Sequence, residues 1–209
     1  MSGSAFLGFL VAVTLLALVP GPATVLVVRR AALHGRRAAL PLIAGIEVGI
    51  YAWAVAAALG LVALVAASTT AFLVLKIVGA GVLVLLGVRA WRSARQVGAL
   101  ELGGDAGHGG SWWRAVGTGA VTNLANPKAA AFAFAFYPQF IPAGADVLRM
   151  TLLLALVQVV VDASWYLLLA TVVGKARSFF LRTRVRQRME RIAGAVLVTF
   201  GIRFAVEPT

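Results

Sequence analysis

Four ionisable residues stand inside long apolar runs of this sequence: Glu47, Lys76, Lys128 and Asp162. A charge at the centre of a bilayer costs about 2.5–3.5 kcal/mol on insertion scales, so a functional role is the default expectation for each. Two carboxylates can hold an ammonium group or a proton. Burial opposes ionisation of a carboxylate and a nearby lysine favours it. Such a group can take up a proton on one side of a membrane and release it on the other. Asp162, in "VVVDASWY", lies near the middle of its run, and Glu47, in "GIEVG", about a third of the way along its own. Lys76 is close to the end of its run and can snorkel. Thr24 follows the first of two breaks and joins Lys76 as a further candidate.

Those breaks carry the second kind of chemistry. Pro20, Gly21 and Pro22 interrupt "LALVPGPATVLVV", and Asn123, Asn126, Pro127 and Lys128 interrupt "TNLANPKAAAFAF". Proline inside a helix costs roughly 3 kcal/mol. At the first helical position it costs little, and asparagine and glycine are tolerated as N-caps. Both motifs therefore predict a helix that stops and restarts within the apolar layer. A restarted helix exposes backbone N–H groups and the positive end of its dipole. A carboxylate gains about 0.3–1 kcal/mol there, and up to ~2 when partly buried. Helix N-termini and Lys128 for a carboxylate, with Glu47 and Asp162 for an ammonium, suit a zwitterion: an amino acid.

The elements that must position these groups follow from hydropathy. Of 209 residues 61% are hydrophobic, and the mean hydropathy is +0.95. A soluble domain is about half apolar, and here the excess falls in blocks of about 20 residues, the length that crosses a bilayer. Six transmembrane helices are expected, at about 6–28, 39–66, 70–90, 115–137, 148–173 and 190–206. The last run is short, with Arg203 near its end.

The net charge of +12 would suit nucleic acid or anionic lipid, but its distribution argues otherwise. Arg29, Arg30, Arg36 and Arg37 follow the first run. Arg89, Arg92 and Arg95 follow the third, and Lys175, Arg177, Arg182, Arg184, Arg186, Arg188 and Arg191 separate the fifth from the sixth. The other loops are nearly free of basic residues, which is the positive-inside pattern. The arginine-rich loops are cytoplasmic on this reading and both termini face outward. The N-terminal run lacks a basic region before it, so it is expected to be an uncleaved first helix.

The glycine-rich stretch 96–113 has no apolar periodicity and reads as a cytoplasmic linker. It divides a single transport domain into repeat one, about 1–95, and repeat two, about 114–209. Three spans in each half give the halves opposite topology, and each half begins with a proline-broken helix. Inverted repeats whose broken helices meet at a central site are a common plan of secondary transporters. His34 and His108 fall in loops without metal-ligand company, and no metal or other cofactor is expected. Trp91, Trp112 and Trp113 sit at span borders, where aromatic residues form an interfacial belt. Gly45 and Gly49 let helices approach closely, inside the chain or across a homodimer.

The ordered set "PGPATVLVVRRAALHGRRAAL", "AGIEVGIYAW", "LKIVGAGVLVLLGVRAWR", "TNLANPKAAAFAFAFYPQF" and "VVVDASWY" resembles the lysine exporter / homoserine-threonine resistance family of bacterial amino-acid exporters. The match covers most of the chain. One departure is Val82, where family members often carry tyrosine. The resemblance implies export from the cytoplasm driven by the proton gradient across the bacterial inner membrane. Carried over residue by residue, it supports Pro20, Gly21, Pro22, Asn126, Pro127, Lys128 and Asp162; Glu47 rests on its own chemistry. No His-Glu metal motif, nucleophile elbow or phosphate-cradling loop is present, which argues against an enzyme. Export of a small cation, or a passive channel, is the alternative reading.

Overall fold

A computed structural model describes residues 2–18, 21–93, 111–142 and 144–180, with scattered helical positions between 184 and 202. Pro20, the linker stretch 94–110 and most of the sixth expected span lie outside the described residues. The regular elements described are helical: α1 (Gly3–Leu18), α2 (Pro22–His34), α3 (Arg36–Ala67), α4 (Thr69–Ser93), α5 (Trp112–Leu124), α6 (Pro127–Phe136), a 3-10 turn (Tyr137–Phe140) and α7 (Val147–Phe180). Among the described residues two helices are long and apolar enough to cross a membrane, with stretches Arg36–Leu64 and Val147–Val173 at mean hydropathies of 1.9 and 2.1. The pair α1 and α2 makes a third if counted as one span, bent by 59°.

The bend arises from local chemistry. Gly21 is the N-cap of α2, in extended conformation, and Pro22 occupies the first helical position. Pro22 has no N–H to lose there. Thr24 accepts a hydrogen bond from the Gly21 N–H at 3.3 Å, the half of a capping box that closes the N-terminus from within. The second break is built alike. α5 ends at Leu124, and the Asn126 carbonyl accepts from the Ala129 and Ala130 N–H groups at 3.0 and 3.3 Å, starting α6 at Pro127. Both proline motifs therefore begin helices, as their residue types predict.

Helix α3 packs against α2, α4, α5, α6 and α7. A single residue joins it to α2: Gly35, at φ 81°, a conformation that side-chain-bearing residues avoid. The Arg30 Nε–H donates across this corner to the Ala38 carbonyl at 2.7 Å. Between α3 and α5 the approach is so close that neither helix has room for a side chain. A Cβ on Gly45 would run into the Val116 carbonyl oxygen, and one on Gly119 into that of Leu42. A Cβ on Gly49 would lie 2.7 Å from the Cβ of Asn123. The Gly45/Gly49 face thus makes a contact within the chain, seating Asn123 against α3.

Aromatic packing fixes the segment after the second break. Phe132 stacks on Phe136 with ring centroids 4.2 Å apart, and Phe9 of α1 meets Phe136 and Phe140 at 5.5 and 5.3 Å. Trp91, Trp112 and Trp113 are exposed.

Candidate functional site

The two restarted helices open onto one cavity. It has a volume of about 130 Å³, and Gly21, Pro22, Ala23 and Thr24 of the first break line it together with Asn123, Asn126 and Ala129 of the second. Pro22 and Pro127 have no N–H, and the Ala129 N–H is taken by the Asn126 carbonyl, but the dipole of each helix is still positive at its first turn. Two such turns therefore direct partial positive charge toward the same space.

Helix α7 supplies the opposing charge. Gln158, Asp162 and Tyr166 recur every four residues, share one helix face and line the cavity. Asp162 is 5% exposed. Its Oδ2 accepts from Gln158 Nε2 at 3.3 Å, while its Oδ1 is buried without a partner among the described residues. Gln158 in turn accepts from the Tyr137 hydroxyl at 2.8 Å. A chain Tyr137–Gln158–Asp162 thus holds one carboxylate oxygen and leaves the other unpaired. Tyr166 bonds through its hydroxyl to Thr24, which ties α7 to the first turn of α2. Replacing Tyr137 by Phe leaves the Gln158 oxygen without its donor. The expected cost is about 1–3 kcal/mol, read as a lower melting temperature of the purified protein.

The remaining candidates divide. Asn123 is buried, lines the cavity, and has an unpaired side-chain oxygen among the described residues. Glu47 is 8% exposed and both its oxygens are unpaired among the described residues, but it is not in the cavity wall. Its field reaches Tyr166, as does that of Asp162. The two carboxylates therefore sit near each other, yet only Asp162 faces the space. Lys76, Pro127 and Lys128 are on helical backbone, and their side chains lie outside those described. Val82 packs against the aromatic cluster around Phe136 and is absent from the cavity wall.

Gln158, Tyr137, Tyr166 and Trp53 are not among the residues the sequence singles out. For α7 the signal is present: Gln158, Asp162 and Tyr166 recur every four residues in a mostly apolar run. Tyr137 gives no such signal, because its role depends on the 3-10 turn packing against α7. Trp53, from α3, joins the wall with its indole N–H buried and unpaired among the described residues. Among the described residues no group of His, Cys, Asp and Glu could hold a metal ion.

A profile of the family described as LysE type translocator matches residues 14–208. The chain belongs to this family. It is a multi-pass membrane protein of a translocator family. An uncharacterized membrane protein of Vibrio cholerae is 30% identical over 203 residues, covering 96% of each chain. The uncharacterized membrane protein YrhP of Bacillus subtilis is 25% identical over 94% of this chain and 96% of its own. A protein of Salmonella typhimurium named homoserine/homoserine lactone efflux protein is 29% identical over 94% of each chain. No solved structure gives a significant match. The matching profile begins ahead of the first break and runs past α7, so both breaks and the α7 polar face lie within it.

Proposed function

We propose that this LysE-family protein is a secondary active exporter of amino acids in the bacterial inner membrane, coupled to the proton gradient. The observation that carries the reading is the shared cavity, which the first turns of two restarted helices line together with Asp162, whose Oδ1 is buried without a partner among the described residues. The helix N-termini receive the substrate carboxylate and Asp162 receives its ammonium group. The efflux name of the Salmonella relative supports an amino-acid-sized cargo and an outward direction.

Coupling follows from the carboxylates. Asp162 binds the ammonium on the outward leg and a proton on the return, so the two ligands exchange at one site. Glu47, set off the cavity wall, is a second carboxylate for the coupling proton. The chain is read as six spans in two inverted halves, with both termini outside, that rock about the cavity and open it alternately to each side. The test is efflux from vesicles preloaded with single amino acids under an imposed pH gradient. Efflux that rises with the gradient is expected for at least one amino acid. Absence of gradient-dependent efflux for every amino acid would overturn the proposal.

A further inference from the structure

Three side chains of the cavity wall each hold a buried polar atom without a partner among the described residues: Oδ1 of Asp162, Oδ1 of Asn123 and Nε1 of Trp53. They come from α7, α5 and α3. Buried polar groups are nearly always hydrogen-bonded, so three open ones around a single space call for a ligand that closes them. Two are acceptors and one is a donor. A bound ammonium group suits the two oxygens. We infer that Trp53 is a cargo-binding residue, whose indole N–H donates to an oxygen of the cargo carboxylate. This step rests on the export reading above and deepens it.

The helix row that carries Trp53 explains its place. Gly45, Gly49 and Trp53 are spaced by four along α3 and so share a face. The first two are glycines because α5 lies directly on them, with the Asn123 Cβ against Gly49. Helix α5 ends at Leu124, the residue after Asn123. The next position in the row therefore meets the gap left by the second break, where a large side chain fits. Asn126 and Ala129, from the far side of that break, line the same cavity as Trp53. The Trp53 ring meets that of Phe134 of α6 edge to face, with centroids 6.3 Å apart and planes at 72°, which restricts its rotation.

A carboxylate in this space is short of direct donors. Pro22 and Pro127 lack an N–H, and the Gly21 and Ala129 N–H groups are taken by Thr24 and by the Asn126 carbonyl. The Tyr137 hydroxyl donates to Gln158, and Gln158 Nε2 donates to Asp162. The helix dipoles supply a field, but a hydrogen bond is needed to fix where an oxygen sits. Among the described residues Trp53 Nε1 is the buried side-chain donor of the wall left without an acceptor. An indole nitrogen donates and does not accept, so it excludes the ammonium end. Trp53 thereby sets the orientation of the cargo, with its carboxylate toward α3 and its ammonium toward Asp162 and Asn123.

The test compares the full chain with Trp53→Phe in liposomes under an imposed pH gradient, preloaded in turn with each of the standard amino acids. Phenylalanine keeps a ring against Phe134 and removes the donor. For every amino acid that the parent protein exports, Trp53→Phe is expected to raise the half-saturating concentration roughly 10- to 150-fold, as loss of a hydrogen bond to a charged group does. The maximal rate and its response to the gradient are expected to persist. An unchanged half-saturating concentration would overturn the inference and leave the export reading intact. Export of no amino acid by the parent protein would overturn that reading, and the inference with it. A second readout uses the parent protein itself and separates hydrogen bonding from packing. The chain has five tryptophans, and isotope labelling of their indole nitrogens gives NMR signals in detergent micelles, assigned through single Trp→Phe variants of the others. The Trp53 signal is expected to move downfield as an exported amino acid is added, and to stay in place with the matching decarboxylated amine. A Trp53 signal that ignores a saturating amino acid, or answers the amine equally, would overturn the inference even where Trp53→Phe exports poorly.

Discussion

Asp162→Asn is expected to abolish proton-driven efflux while leaving the protein folded. Asparagine keeps the size of aspartate and can still meet the Gln158 amide, so the chain that begins at Tyr137 survives. What disappears is the negative charge opposite two helix N-termini. A hydrogen bond to a charged group contributes about 1.5–3 kcal/mol, so its loss alone lowers substrate binding roughly 10- to 150-fold. Loss of the exchangeable proton removes coupling as well, which predicts no response to the pH gradient at any substrate concentration. Vesicle efflux with and without the gradient measures the effect, and the melting temperature shows that the variant is folded. Full gradient-driven efflux by folded Asp162→Asn would remove Asp162 from the mechanism. Partial recovery in Asp162→Glu, which restores charge at a shifted position, would mark a positional requirement.

Gly119→Val is expected to leave little folded protein. The obstacle is backbone: the Cβ would meet the Leu42 carbonyl oxygen, with the Ile46 nitrogen at 2.8 Å. A flexible side chain could swing away from such a contact, but two packed helix backbones can only separate. Overpacking typically costs about 1–3 kcal/mol and occasionally more, and here the branched side chain would part α3 from α5 along the whole seam of Gly45, Gly49 and Gly119. Even Gly119→Ala is expected to lower the melting temperature. Gly117 supplies the control, since a Cβ there meets nothing within 4 Å. Gly117→Ala is expected to be neutral or to stabilise α5 by about 0.5–1 kcal/mol, because alanine loses less backbone freedom in a helix. Equal melting temperatures for Gly117→Ala and Gly119→Ala would show that the seam is not close-packed. The consequence reaches the site, because Asn123 sits one turn beyond Gly119 and packs on Gly49.

Much of this arrangement is legible in the residues. The helix starts at Pro22 and Pro127 are readable because capping is local: the fixed φ of proline and the residue before it decide the outcome within one turn. The long apolar helices α3 and α7 are readable from hydropathy. Their ends differ from the expected 39–66 and 148–173 mainly by extra turns, such as 174–180 at the end of α7. Asp162 is recognisable because a carboxylate in the middle of an apolar run needs a reason to be there.

The facing of the side chains is not legible. Glu47 and Asp162 differ in depth along their apolar runs, but the sequence does not say which of them faces a shared space. Only the rotation of α3 and α7 about their axes puts Asp162 in the cavity wall and leaves Glu47 off it. That rotation is set by contacts between residues far apart in the chain, above all the glycine seam that holds α3 against α5. The same holds for Tyr137, whose hydroxyl finds Gln158 only once the 3-10 turn after α6 packs on α7. By itself the sequence determined what is local: which segments are apolar helices, where they break, and which buried groups need partners. Tertiary structure alone decided which of those groups share a space, because that depends on how tightly and at what rotation each helix meets its neighbour.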